Sequence, residues 1–167
     1  IYMIEFRKAE ITDLQKVRQV AYATWPDTFV TMIPAEQLNY MLDQIYDEEA
    51  LRQQVELGHI FMLAVWGGET VGFASYQLNY EAKPRLMIHK LYLLPGVQDL
   101  GIGARFIQLL TDIARMNNNT ALRLKVFYLN LKAIGFYRKQ GFSIAGTETT
   151  RFGKYDPVID YVMVKDI

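Results

Sequence analysis

Cysteine is absent from this chain, which excludes disulfides, thiolate nucleophiles and thiolate metal sites and leaves a reducing compartment open. Histidine occurs twice, at His59 and His89, with no pair at ligand spacing, so no metal is expected. Neither sign of charge is in excess: Lys plus Arg and Asp plus Glu each number 18. No global field is therefore available to grip nucleic acid or an anionic membrane, and any partner must be held locally. No apolar run approaches the ~20 residues of a membrane helix, and Ile1–Phe6 lacks the basic segment and apolar core of a signal peptide. A cytoplasmic protein is the expectation.

What is present is an apolar half, 51% of 167 residues, enough for one compact domain over 1–167. Met3 to Lys8 reads as a strand. Thr12 and Gln15 form a capping box, after which Leu14, Val17, Ala21 and Trp25 recur at helical spacing until Pro26 stops them. Leu38, Met41, Leu42 and Ile45 mark a second helix after Pro34, and Asp47-Glu48-Glu49 opens a third with its acids at the favourable end. Ile60 to Trp66 and Thr70 to Leu78 flank Gly67-Gly68 as a β-hairpin. Arg85 to Leu94 is a strand, and Ile102, Phe106, Leu109, Leu110 and Ile113 define the next helix. Ala121 to Phe127 is a strand, Asn130 to Gln140 a helix, and Phe142 to Ala145 and Val158 to Val164 the last strands, with Thr147 to Pro157 a mobile loop. Helices between the later strands call for an α/β fold: a mixed central sheet covered by helices on both faces.

The chemistry concentrates between His89 and Phe106, where an apolar strand is broken at Pro95-Gly96 and gives way to a helix near Gly101. A first helical turn leaves backbone N–H groups without intrahelical partners at the positive end of the dipole, and Gly101 and Gly103 remove the Cβ atoms that would keep a phosphate from them. Gln98 adds an amide and Arg105 a countercharge. A dinucleotide fingerprint requires a third glycine where Phe106 stands, and a Walker motif requires a Gly-Lys-Ser/Thr that is absent. A phosphate cradle of another kind, or simply a tight strand-to-helix turn, is left.

Gln98-x-x-Gly101-x-Gly103-Ala104 resembles the acetyl-coenzyme A pyrophosphate motif of the GCN5-related N-acetyltransferases. Asn130, Ala133, Phe136, Tyr137, Gly141 and Phe142 stand in the relative positions of that family's later motif. Tyr46–Glu49 and His89–Tyr92 are similar in texture to its PaiA-type polyamine acetyltransferase branch. The resemblance implies acetyl-CoA as cosubstrate. Leu91, Tyr92 and Leu93 would offer backbone groups to the pantetheine arm and thioester, Gln98, Asp99, Leu100, Gly101, Ile102, Gly103 and Ala104 would hold the pyrophosphate, and Asn130 and Phe136 would complete the coenzyme site. Asp99 departs from the basic or neutral residue many members carry there.

The same resemblance casts Tyr137 as the acid that protonates the departing thiolate, a phenol being protonated at neutral pH, or else as packing beside Phe136. His89 is a candidate base for the amine or a structural histidine, and His59 a helix cap. Asn130 fits a helix cap as well as a coenzyme contact. Trp25 and Phe29 are candidate substrate-binding residues beside acids at Asp43, Asp47, Glu48, Glu49 and Glu56. The acceptor implied is a small polyamine such as spermidine or spermine. A protein or peptide amine is the alternative, as is a non-catalytic acetyl-CoA sensor. A homodimer is the family expectation.

Overall fold

The computed structural model describes residues 3–167. Two compact units emerge, one built from the chain up to Tyr76 together with Lys90–Arg105, the other from Gln77–His89 with Phe106–Ile167. The element order is β1 (Ile4–Lys8), α1 (Leu14–Phe29), α2 (Ala35–Tyr46), α3 (Glu48–Glu56), β2 (Ile60–Trp66), β3 (Glu69–Gln77), β4 (Arg85–Leu93), α4 (Ile102–Met116), β5 (Ala121–Phe127), α5 (Leu131–Lys139), β6 (Ser143–Thr150) and β7 (Val158–Asp166). The strands form one mixed sheet in the order β1-β2-β3-β4-β5-β7-β6.

In the first unit, β1, β2 and β3 are antiparallel neighbours. Phe61, Met62, Leu63 and Ala64 are buried in succession, as are Val71 through Tyr76. Successive strand residues point to opposite faces, so unbroken burial requires cover on both. Trp25 and Tyr46 supply it on the Phe73 face, the tyrosine ring lying 6.1 Å from Phe73. On the other face Arg105 stacks on Phe6 at 5.3 Å. Phe6 pairs with Ala64, and Ala64 with Gly72.

In the second unit β4 runs parallel to β5 from the pair Arg85↔Ala121 to Ile88↔Leu124, the arrangement that requires the intervening helix α4. Beyond Ile88, β4 continues to Leu93. Strand β7 inserts antiparallel between β5 and β6. Leu122, Leu124 and Val126 are buried on one side of β5. Its other side carries Arg123 and Lys125, which share Glu148 at 3.3 and 3.4 Å.

Three readings are corrected. Helix α1 does not stop at Pro26 but runs on to Phe29. Trp25 and Phe29, one turn apart, are each 5% exposed and meet edge to face at 5.2 Å, so burial carries the helix past a residue that lacks the N–H for its hydrogen bond. The first cap is not Thr12 with Gln15: Thr12 lies inside a short 3-10 turn, Ile11–Asp13. Asp13 accepts from the Glu10 N–H at 2.9 Å and from both Arg7 amino groups at 2.9 and 3.1 Å. These donors hold its carboxyl far below the ordinary range, the Arg7 hydrogen bonds contributing most. The supposed loop from Thr147 is strand as far as Thr150, paired with β7 through Thr150↔Val158. Its polar threonines suit an exposed edge strand, which needs no apolar face.

Candidate active site

The end of β4 is fastened from several directions. Leu94 N–H donates to the Val71 carbonyl at 2.8 Å. The Leu93 carbonyl accepts from Gln98 Nε2 at 3.1 Å and from Thr24 Oγ1 at 3.4 Å. Gln98 thus ties the turn back to the strand it leaves. A 3-10 turn, Pro95–Val97, follows, and Leu100 N–H closes onto the Val97 carbonyl at 3.3 Å. Gly101 then adopts φ +76° and helix α4 begins at Ile102.

That positive φ explains Gly101, since a side chain there is strained. Apart from its two chain neighbours, no residue comes within 4 Å of where its Cβ would stand. The turn therefore presents open backbone ahead of the N-terminal amides of α4, which have no acceptor inside the helix. Asp99 is exposed, as is Leu100, whereas Ile102 and Gly103 are buried. Arg105 is committed to Phe6 and donates to the Ile4 carbonyl at 3.4 Å.

Under β4 lies an aromatic cluster. Trp25 packs within 5.2 to 5.8 Å of Phe29, Tyr46 and Tyr92, and Tyr92 within 5.9 Å of Phe73. Trp25 and Phe29 are core residues of this cluster rather than surface ones. Lys90 enters it with its ammonium 5.9 Å from the centre of the Tyr46 ring and 5.6 Å from that of Phe61, and donates to Gln54 Oε1 at 2.6 Å. Gln54 is itself fixed by donating to the Ile45 carbonyl at 2.8 Å. Burial pushes the Lys90 amine down to about 8. Nothing in the sequence marks Lys90, which sits in a run of strand residues where a lysine ordinarily faces water.

Three acids of the helical region have local partners. Asp47 caps α3 by accepting from Ala50 N–H at 2.6 Å, Glu48 pairs with Arg52 at 2.9 Å, and Asp43 accepts from the Tyr22 hydroxyl. His59 donates its backbone N–H to the Gln54 carbonyl at the end of α3, and burial, with the nearby Lys90 charge, takes its ring down to about 4.

In the second unit His89 Nε2 lies 2.7 Å from Gln77 Oε1, and its ring stands 5.5 Å from Tyr80, edge to face. Asn130 caps α5, its side chain accepting from Ala133 N–H at 3.2 Å. The ring of Tyr137 packs between Phe136 at 5.2 Å and Phe142 at 5.6 Å. It is 9% exposed, and burial raises its phenol pKa well above the ordinary value. Among the described residues no group of three or more His, Asp or Glu side chains is placed to hold a metal ion, and no helix is long and apolar enough to cross a membrane.

Residues 16–142, which contain the fastened strand end, the glycine turn and the Asn130–Tyr137 helix, match the acetyltransferase (GNAT) family. The chain belongs to the GNAT family. Among its relatives is the spermidine N(1)-acetyltransferase of Thermoplasma acidophilum, 27% identical over 154 residues that cover 89% of this chain and 94% of that protein. The N-alpha-acetyltransferase 50 of Danio rerio is 26% identical over 73% of this chain and 74% of its own length. Among solved structures, the PaiA N-acetyltransferase of Thermoplasma acidophilum in complex with coenzyme A superposes with a TM-score of 0.83 at 25% identity, covering 99% of both chains. As a GNAT chain, this protein is an acetyl-CoA-dependent acetyltransferase. The open turn at Gly101 fits a bulky anion, and Gln98 and Thr24 give the adjoining strand end a fixed position.

Proposed function

We propose that this GNAT chain moves an acetyl group from acetyl-CoA to a primary amine of a small polyamine, with spermidine and spermine as the type substrates. The observation that carries the transfer reading is the pairing of a fixed strand end, Leu91–Leu93, with an open, positive-φ glycine turn one short loop away. The polyamine reading is supported by similarity, over nearly the whole chain, to a spermidine acetyltransferase.

Acetyl-CoA, when bound, supplies an acyl group already activated as a thioester. The residues of this chain do the rest. Amides along Gln98–Ala104, that of Leu100 excepted because it bonds the Val97 carbonyl, hold the pyrophosphate, which fixes the reach of the thioester. Backbone groups of Leu91–Leu93 donate to the carbonyl oxygen as negative charge develops on it. The amine nitrogen forms a bond to the carbonyl carbon, the carbon–sulfur bond breaks, and sulfur leaves with the electron pair. His89 receives the proton that the amine must lose, and Tyr137 gives its proton to the sulfur. Trp25 and Phe29 stand behind Tyr92 as the apolar floor of the acceptor side.

Thiol release from acetyl-CoA, measured with spermidine, spermine, diamines, amino acids, an aminoglycoside and a lysine peptide, tests this reading. Turnover selective for the polyamines is the expected result. Turnover of the peptide alone moves the acceptor to a protein amine. Coenzyme binding with no turnover on any amine overturns the enzymatic reading in favour of a sensor.

A further inference from the structure

Gly72 is a glycine without a conformational reason. It lies within β3, paired with Ala64 of β2 immediately before a register shift, and its backbone is not in the positive-φ region. Any residue can adopt that conformation, and a glycine inside a strand weakens it by entropy and lost packing. The explanation is space. A Cβ on Gly72 would stand 2.4 Å from Leu93 Cδ2, 2.9 Å from the Tyr92 carbonyl oxygen and 3.5 Å from Leu93 Cα. Leu93 Cδ2 belongs to a side chain that can rotate. The Tyr92 oxygen is backbone and moves only with the strand.

The strand segment pressed against Gly72 is the one whose carbonyl at Leu93 receives Gln98 and Thr24, and whose next amide, Leu94, bonds to Val71, the neighbour of Gly72. We propose that Gly72 is a positioning residue for the coenzyme site: its missing side chain lets β3 close on Tyr92–Leu93, which sets the thioester-facing strand end and, through Gln98, the glycine turn. This rests on the acetyl-transfer reading above. A single added methyl at position 72 displaces Tyr92–Leu93, and Gln98 passes the displacement on to the pyrophosphate turn. Both ends of the coenzyme then meet a shifted partner, while the acceptor side is reached only through the Tyr92 ring and its contact with Trp25.

The test compares the wild-type chain, Gly72→Ala and Gly146→Ala for coenzyme A affinity by titration calorimetry, for thermal midpoint, and for the KM of acetyl-CoA against the KM of the amine. Gly146 has open space where a Cβ would stand and no positive φ, so its variant controls for the loss of a strand glycine as such. Gly72→Ala is expected to weaken coenzyme A binding about tenfold or more and to raise the KM of acetyl-CoA more than that of the amine, one or two lost backbone hydrogen bonds to the coenzyme being enough for such a change. A folded Gly72→Ala protein with wild-type coenzyme affinity overturns the proposal. If Gly72→Ala does not fold, the Leu93→Ala background removes the 2.4 Å clash and leaves the one with the Tyr92 oxygen. The double variant is then expected to bind coenzyme A more weakly than Leu93→Ala alone, and equal affinities overturn the proposal. A wild-type chain that binds no coenzyme A overturns the acetyl-transfer reading itself, an outcome distinct from these.

Discussion

Tyr137 is held between two phenylalanines with its phenol more reluctant to ionise than a solvated one. It keeps its proton throughout the neutral range, as a donor to a leaving sulfur must, at the cost of being a weaker acid. Tyr137→Phe keeps the ring packing and removes only the hydroxyl. It is expected to lower kcat by about a hundredfold, the usual scale for an acid–base group, while coenzyme A affinity by calorimetry stays within about twofold of wild type. Unchanged kcat assigns the ring to packing alone. Asn130 was readable from its place ahead of a helical run and does cap α5. Lys90 and Gly72 were not readable. A lysine among strand residues, or a glycine with ordinary φ, takes its meaning from what tertiary packing brings against it, here two rings and an amide in one case and a backbone oxygen in the other.

At the scale of elements, the helices and strands followed from periodicity and caps wherever the local signal and the packing agreed. They parted where burial overrode the local signal, as at Pro26, or where strand pairing needed no apolar alternation, as in β6. Helix α5 is short, and its Asn130 cap satisfies one of the few amides that its nine residues leave open. Asn130→Ala is expected to cost about 1 kcal/mol of stability, seen as a lower denaturant midpoint with an unchanged slope. Asn130→Asp, which keeps an acceptor oxygen for Ala133 N–H, is expected to recover most of that loss. If the aspartate variant is as unstable as the alanine one, the cap is not what Asn130 contributes to the helix.

For the whole molecule, composition excluded more than it identified: the balance of charge removed nucleic acid as a partner expectation, and absent cysteine removed thiolate chemistry. The family became legible only through two spaced motifs, and the acceptor is written in neither. Charge does predict how stability follows pH. The Lys90 amine titrates near 8 when folded and in the ordinary lysine range, near 10.5, when unfolded. Between those values the unfolded chain binds more protons, so stability rises with pH from about 8 upward. Above about pH 10 the buried tyrosines Tyr46 and Tyr137, whose pKa values are raised, reverse the trend, because they ionise first in the unfolded chain. Lys90→Met is expected to be more stable than wild type at pH 7 and to lose the rise between pH 8 and 10 in denaturant titrations. A wild-type curve flat over that interval places the ammonium in better solvation than its surroundings imply.

The order of strands has a consequence for the chain as it is made. β5 finds β4 already synthesised, but its second neighbour is β7, and α5 and β6 must both emerge before β7 does. Through that interval one edge of β5 offers its N–H and C=O groups, beside an alternating Leu122, Leu124 and Val126, to any strand within reach. The β6–β7 hairpin is what closes that edge, so a chain cut in the 151–157 loop keeps β4 and β5 but leaves β5 with an unpaired edge.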